Sequence, residues 1–287
     1  MKIAVASDIH GNVLALEAVL ADLERQGGAD HIVVTGDMVA YGPAPNEVFA
    51  ILRDLPNVHF LQGNTDRYLL EKTYPATGGD EWKDKLLLSF RWTAEHMEAG
   101  VLHFLGTLPL SLTFREKDWR LLAVHASPLS DEEGFTATTS DDDFDRMGVD
   151  PVLVDLLVCG HTHVPLDRTI KGVRVVNVGS VGLPFDGVPR ACYALISVTP
   201  GETTSAQVVL RRVTYDVEKV VEQFYAANHP AADISAYNLR AARSVGTSLI
   251  YTPEMRHGKR GPASGGQQED ATRQFKGHSH VTVRQSV

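Results

Sequence analysis

The sequence predicts an α/β fold, and three features carry that expectation. Residues 2–7 and 31–35 are short, nearly unbroken apolar runs with a helical pattern between them. That is a β-α-β unit, whose strands run parallel with their C-terminal ends on one side. Further apolar runs at 58–61, 119–124 and 152–158 stop at or near a Gly, Asn or His. Finally, the hydrophobic period changes to two over 110–114 and 119–124, with Glu116-Lys117-Asp118 between, as in a hairpin.

In chain order, the strand at 2–7 is almost wholly apolar, as expected for a strand covered on both faces. It ends in Asp8-Ile9-His10-Gly11-Asn12. Leu14, Leu16, Val19, Leu20 and Leu23 then recur at helical spacing, with Asn12 as N-cap and Gly27-Gly28 as terminator. The strand at 31–35 leads into Gly36-Asp37, a short helix follows over 46–53, and the strand at 58–61 leads into Gly63-Asn64-Thr65-Asp66. Residues 70–106 read as helical, and the lone His96 and His103 there read as ordinary packing or surface residues. The hairpin's second strand ends at His125. The acidic stretch at 141–145 lacks the spacing and glycine of a calcium loop and reads as a solvated loop or helix N-terminus. The run at 152–158 reads as a buried strand that stops at Gly160-His161-Thr162-His163. Strands at 166–170, 173–177, 192–197 and 206–213 and helices at 217–227 and 233–242 complete the expected domain, 1–250. From Pro253 the composition turns to Gly, Ser, Gln and Arg, so 251–287 is expected to be a disordered tail. Its His278-Ser279-His280 then has no packed scaffold to fix a ligand.

With 287 residues, 43% of them hydrophobic, the chain can bury a full core. Its net charge of −9 argues against bulk binding to nucleic acid, although bound metals can invert the local sign for an anionic substrate. Cys159 and Cys192, the two cysteines, lie in apolar runs and read as buried thiols, which suits a reducing cytoplasm. The N-terminal run is too short and polar for a signal peptide, and no run approaches the roughly 18 apolar residues of a membrane span.

Asp8, His10, Asp37, Asn64, His125, His161 and His163 all lie just past apolar strands, where open α/β sheets place their sites. Four imidazoles, two carboxylates and an amide oxygen are too many ligands for one ion and suit two, with a carboxylate able to bridge them. Nitrogen and oxygen donors without thiolate favour Mn, Fe, Zn, Ni or Co over Ca or Mg.

This series (Asp8-x-His10, Gly36-Asp37, Gly63-Asn64, His125, Gly160-His161-x-His163) resembles the calcineurin-like metallophosphoesterase family over roughly residues 1–215. Tyr41-Gly42-Pro43 and the stretch at 177–182 are similar to its small bacterial and archaeal phosphodiesterase-like branch. The resemblance implies a four-layer α-β-β-α sandwich of two mixed sheets flanked by helices, with the metals at one end. It implies one ion on Asp8, His10 and His163, a second on Asn64, His125 and His161, and Asp37 bridging.

Two ions would bring a shared water's pKa down so that hydroxide exists at neutral pH and attacks a phosphoryl group directly. Asn64 could bind metal and donate to phosphate, with Arg67 and Arg190 as candidate phosphate clamps. Many family members carry a His where Thr65 stands here, and a threonine hydroxyl is too weak an acid to protonate a leaving oxygen at pH 7. A water held by Asp66, or a good leaving group, is then required. The expected activity is therefore a phosphodiesterase on a small or nucleotide-like phosphoester. The alternatives are a phosphomonoesterase or protein phosphatase, and a non-catalytic scaffold such as the retromer subunit that resembles this family. A scaffold predicts eroded ligands, whereas all seven are present. Specificity is expected in loops at 38–48, 66–80, 126–150 and 182–190, and oligomeric state is not legible.

Overall fold

The computed structural model describes residues 1–75, 79–199, 206–245 and 281–284. In chain order the elements are β1 (Lys2–Ala6), α1 (Val13–Arg25), β2 (His31–Val34), α2 (Pro45–Asp54), β3 (Val58–Phe60), α3 (Asn64–Glu71), α4 (Glu81–His96) and α5 (Ala99–Leu105). They continue with β4 (Ser111–Glu116), β5 (Trp119–Val124), α6 (Asp141–Arg146), β6 (Leu156–Cys159), β7 (Leu166–Ile170), β8 (Val173–Asn177), β9 (Ala191–Val198), β10 (Ala206–Val213), α7 (Val217–Ala226), α8 (Ala232–Ala241) and β11 (Val281–Arg284).

These strands build two mixed sheets, ordered β10-β9-β1-β2-β3 and β11-β4-β5-β6-β8-β7. In the first, β1, β2 and β3 are parallel, with Ile3 opposite His31 and Ile32 opposite Val58. In the second, the β4–β5 hairpin pairs Glu116 with Trp119, and β5, β6 and β8 run parallel. Alternation along the strands divides the core. Ile3, Val5 and Val33 of the first sheet meet Leu121, Leu156 and Val158 of the second. The opposite face of the first sheet, Ala4, Ala6 and Val34, packs on Leu16, Val19 and Leu23 of α1. The second sheet's outer face, Leu157, Cys159 and Val175, is covered by Phe135, Phe144 and Met147. Its covering layer among the described residues is thus the short α6 with its flanking loops, thinner than the helical layer over the first sheet. Ser140 caps α6 by accepting from the Asp143 backbone, which makes the acidic stretch a helix N-terminus.

Two expectations change. Val152 and Leu153 are exposed in a turn, and the strand begins only at Leu156; apolarity alone does not distinguish a strand from the turn before it. The expected irregular tail lies outside the described residues, as does His278-x-His280, except at Val281–Arg284. There β11 pairs parallel with β4, whose outer edge offers free backbone groups to a β-branched segment. Among the described residues no helix is long and apolar enough to cross a membrane.

A partly buried ion pair ties the helical layer to the first sheet. The Asp22 carboxylate on α1 accepts from Arg211 Nε (2.9 Å) and Nη2 (3.0 Å) of β10 and from the Tyr193 hydroxyl (2.8 Å) of β9. The Arg211 hydrogen bond, outweighing burial, lowers the Asp22 pKa. Because the folded value is depressed, this stability is present above the unfolded carboxylate pKa and is lost as pH falls through the folded one. Asp22→Asn should cost about 2 kcal/mol at pH 7 in urea unfolding, with the difference from wild type shrinking below about pH 4. Equal midpoints at pH 7 would show that the pair contributes nothing.

Candidate metal centre

The seven predicted ligands meet at one edge of the sandwich. Past β1 and β2 the backbones stay paired, with Asp8 N–H donating to Gly36 O (3.1 Å) and His10 N–H to Asp37 O (3.0 Å). The second sheet reaches the same point because Gly160 N–H donates to His125 O (2.8 Å) and His161 N–H to Asp8 Oδ2 (2.9 Å). Two glycines permit the approach. A Cβ at Gly160 would lie 2.3 Å from Asp8 Oδ2, and one at Gly63 2.1 Å from Asp37 Oδ1. Asp8, His10, Asp37, His161 and His163 all have φ between 48° and 67°, a left-handed backbone that costs an L-residue about 1 kcal/mol or more.

Two groups of ligand atoms, Asp8/His10/His163 and Asp8/Asp37/His125, each lie within 4.8 Å of one another, all buried. Asp37 Oδ2 is 3.8 Å from His10 Nε2 and 3.6 Å from His125 Nε2, so it stands between the two sides of the site. Asn64 Oδ1 faces His125 Nε2 at 2.9 Å and His161 Nδ1 at 3.1 Å. The other ring nitrogens of three histidines are held by carbonyls: His10 Nδ1 by Ala40 O (3.1 Å), His125 Nδ1 by Thr35 O (2.8 Å) and His163 Nδ1 by Leu183 O (2.5 Å). Those bonds fix the tautomer and aim an Nε2 lone pair into the site, the arrangement that outer hydrogen bonds impose on metal-binding imidazoles.

The donor set fits divalent cations. Nε2 of His10 and of His163 lie 3.2 Å apart, two lone pairs that repel unless a cation or proton stands between them. Asp8 Oδ1 is buried with no hydrogen-bond partner. Burial alone would raise the Asp8 pKa, but the His163, His125 and His10 rings hold it well below the usual carboxylate range. Burial, reinforced by His163, lowers His10 to about 4, and burial with His125 lowers His161. For His125, Asp37 and Asp8 outweigh burial and raise the pKa. An ionised Asp8 beside neutral His10 and His161 is what metal binding requires.

Three other predicted residues stand elsewhere. Asp66 is fully buried, and its carboxylate accepts from the backbone N–H of Asp37 (2.8 Å), Met38 (3.3 Å) and Gly63 (3.0 Å). It therefore clamps the two turns that carry Asp37 and Asn64 rather than holding a water at the cavity. Burial and then the Asp37 charge raise its pKa to about 7. Arg67 is engaged by Asp131 (2.6 Å) and Glu132 (2.7 Å), and Arg190 is exposed in a turn. Neither lines the cavity over the ligands, so neither serves as a phosphate clamp in this geometry.

That cavity, of about 230 Å³, runs from His10, Asp37, Asn64, His161 and His163 to Leu86 on α4 and to Phe224, Ser235, Asn238 and Leu239 on α7 and α8. Of the four loops expected to set specificity, 38–48 contributes Tyr41 and 182–190 contributes Gly182, Leu183 and Phe185, while 126–150 contributes nothing. Tyr41 lies tilted over His10, and Phe185 stacks on His163 at 4.5 Å. The wall from α7 and α8 was not anticipated. Its trace in the sequence is a pair of polar residues, Ser235 and Asn238, on the core-facing stripe of an amphipathic helix.

The profile of the calcineurin-like phosphoesterase superfamily domain matches residues 1–201. The chain belongs to this superfamily. Membership makes it a phosphoric ester hydrolase and agrees with the two-sheet sandwich. An uncharacterized protein of Methanocaldococcus jannaschii is 31% identical over 77% of this chain and 90% of its own length. Phosphodiesterase YfcE of Escherichia coli is 30% identical over 68% and 87%. A metallophosphoesterase from Sphaerobacter thermophilus superposes with a TM-score of 0.65 at 29% identity, covering 84% of this chain and 99% of that one.

Metal binding should stabilise the fold through Asp8. Adding Mn²⁺ to the metal-stripped protein should raise its melting temperature, by the equivalent of about 2.7 kcal/mol at a hundredfold excess over Kd. Asp8→Asn, which removes the carboxylate that the surrounding imidazoles hold ionised, should abolish the rise. A variant that keeps the rise would show that Asp8 is no ligand.

Proposed function

We propose that the chain is a dinuclear-metal phosphodiesterase acting on a small phosphoester. The observation that carries this reading is the convergence of two ligand groups around Asp8 and Asp37 at one end of the cavity. Asp8, His10 and His163 would hold one ion, Asn64, His125 and His161 the other, with Asp37 between them. When bound, such ions acidify water and offset phosphoryl charge.

The chain's own residues perform the rest. Asn64 turns Oδ1 toward the metal side, and its NH₂ supplies a donor for a phosphoryl oxygen. Asp66 keeps Asp37 and Asn64 in place by holding their turns, an orienting role that does not touch substrate. Thr65 lines the cavity where many relatives are expected to carry His, and it brings no acid of suitable strength to the leaving oxygen. With Asp66 turned away, departure depends on the leaving group's own stability, which favours activated esters over alkyl monoesters. The roof of α7 and α8 over the ligands favours a small ester over a phosphoprotein. YfcE, a relative bearing the name phosphodiesterase, supports the same reading. Manganese is a suitable ion for these nitrogen and oxygen donors, and the buried free thiols Cys159 and Cys192 suit a reducing cytoplasm.

The deciding assay compares bis(p-nitrophenyl) phosphate with p-nitrophenyl phosphate, metal-stripped and after Mn²⁺ addition. We expect metal-dependent cleavage that favours the diester and falls at least about 100-fold in His161→Ala, as when a group stabilising the transition state is removed. Cleavage that survives chelation, or a preference for the monoester, would overturn the proposal. Thr65→His should raise monoesterase activity by about tenfold or more, the lower range of a general-acid contribution. An unchanged rate would remove the role assigned to that position.

A further inference from the structure

We infer that α7 and α8 form a subsite for the organic group of the ester, and that this subsite takes a planar, neutral group carrying hydrogen-bond acceptors, of the nucleobase kind. The inference rests on the phosphoesterase reading and adds the class of group attached to the phosphate.

The profile shared with the superfamily ends at residue 201, yet the cavity over the ligands continues to Phe224, Ser235, Asn238 and Leu239. Its far wall is therefore built by chain outside the part that carries the ligands. The buried stripe of α8 comprises Ala232, Ser235, Ala236, Asn238 and Leu239. An amphipathic helix needs only apolar residues on such a stripe to pack. Ser235 and Asn238 are nonetheless 7% and 6% exposed, one helical turn apart and facing the same cavity. Among the described residues the Ser235 hydroxyl has no hydrogen-bond partner. Asn238 Oδ1 accepts from the Val245 backbone at 3.0 Å, which leaves the amide NH₂, a donor only, as the edge with no partner among the described residues. Neither donor is among the fully buried polar atoms that lack a partner, so both open onto the cavity, where a ligand that accepts hydrogen bonds can meet them.

The rest of the lining narrows the ligand. Phe224, Leu86, Leu239 and Phe185 supply apolar walls, two of them aromatic, suited to a flat unsaturated group. No Lys or Arg lines the cavity among the described residues, so a second phosphate or a carboxylate would find no countercharge there. An alkyl group would fill the space and leave the Ser235 and Asn238 donors unmet. A heterocycle with ring nitrogens or carbonyls satisfies both requirements.

The test is isothermal titration of the Mn²⁺-loaded full chain with thymidine 5′-phosphate and with methyl phosphate, which share the phosphate and differ in the organic group. We expect thymidine 5′-phosphate to bind about tenfold more tightly, Asn238→Ala to remove most of that preference and Ser235→Ala about threefold of it, with methyl phosphate unchanged within about twofold. Because Asn238 also holds Val245, Ser235→Ala decides where Asn238→Ala lowers the melting temperature. Equal affinities in the wild type, a preference untouched by Ser235→Ala, or the same loss for both ligands would overturn the subsite. Diester turnover without any preference for the thymidine ligand rejects this inference alone. Preference without diester turnover rejects the phosphodiesterase reading and leaves the subsite standing.

Discussion

Two carboxylates, four imidazoles and an amide oxygen are gathered into one small, largely buried volume, and the rest of the structure accommodates that concentration. Such a set opposes folding twice over. The Asp8 and Asp37 carboxyl groups are buried beside the His10 and His125 rings, and low-dielectric surroundings make buried charge costly. The backbone is also held left-handed at five of the seven positions. Neither cost is offset by apolar contacts made locally. The neighbouring His rings offset the first at Asp8, and the hydrogen-bonded turns past the strands hold the second. Local strain maintained by surrounding structure marks functional sites generally, and here it aims ligand atoms inward from chain that would otherwise run on past the sheet.

The sandwich explains why the set assembles. The first sheet delivers Asp8, His10, Asp37 and Asn64 from the ends of three parallel strands, and the second delivers His125, His161 and His163 from the ends of two. Parallel strands place successive loops on one edge, and the shared core of Ile3, Val5, Leu121, Leu156 and Val158 brings those two edges together. Contact between the edges demands backbone approach closer than any side chain allows, which is why glycine precedes Asp37, Asn64 and His161. Asp66 joins the loops after β2 and β3 through backbone donors alone, so a carboxylate that reads as catalytic in the motif serves as a brace. Thr65, between Asn64 and the brace, donates its N–H to Asp37 Oδ1 at 2.9 Å and keeps that carboxylate oriented.

The same logic separates the metal side of the cavity from its outer wall. The ligand side is built from rigid strand ends. The opposite side comes from α7 and α8, which are anchored elsewhere: Phe224 lies against the buried His229, whose ring contacts Trp92 of α4 and whose Nε2 meets Ser89 Oγ at 3.2 Å. Gly187 N–H donates to Ala242 O at 2.9 Å and Phe185 stacks on His163, so the loop at 182–190 couples the outer wall to His163. A reactive core common to many chains can in this way face a wall particular to one, as expected where chemistry and specificity reside in different segments.

The sequence alone determined the elements whose signal is local. The β-α-β unit, the hairpin at 110–124 and Asn12 as the cap of α1 follow from periodicity and capping chemistry that act over a few residues; Asn12 Oδ1 accepts from Ala15 N–H as that reading requires. The seven converging side chains were legible too, because His, Asp and Asn directly after apolar runs form an ordered series with a matching family pattern. Tertiary structure decided the rest. Arg67 looked available for phosphate until Asp131 and Glu132, more than sixty positions away, were seen to occupy it. Asp66 looked like a water-holding acid until its partners were seen to be backbone N–H groups. Val152 and Leu153 carried the apolarity of a strand but lie in an exposed turn, and Val281–Arg284 pairs with β4 although the composition around it suggested no order. Ser235 and Asn238 became visible as part of a site only when α8 was placed across the cavity. In each case the deciding interaction joins residues remote in sequence, and composition and periodicity carry no information about which distant groups a side chain will meet.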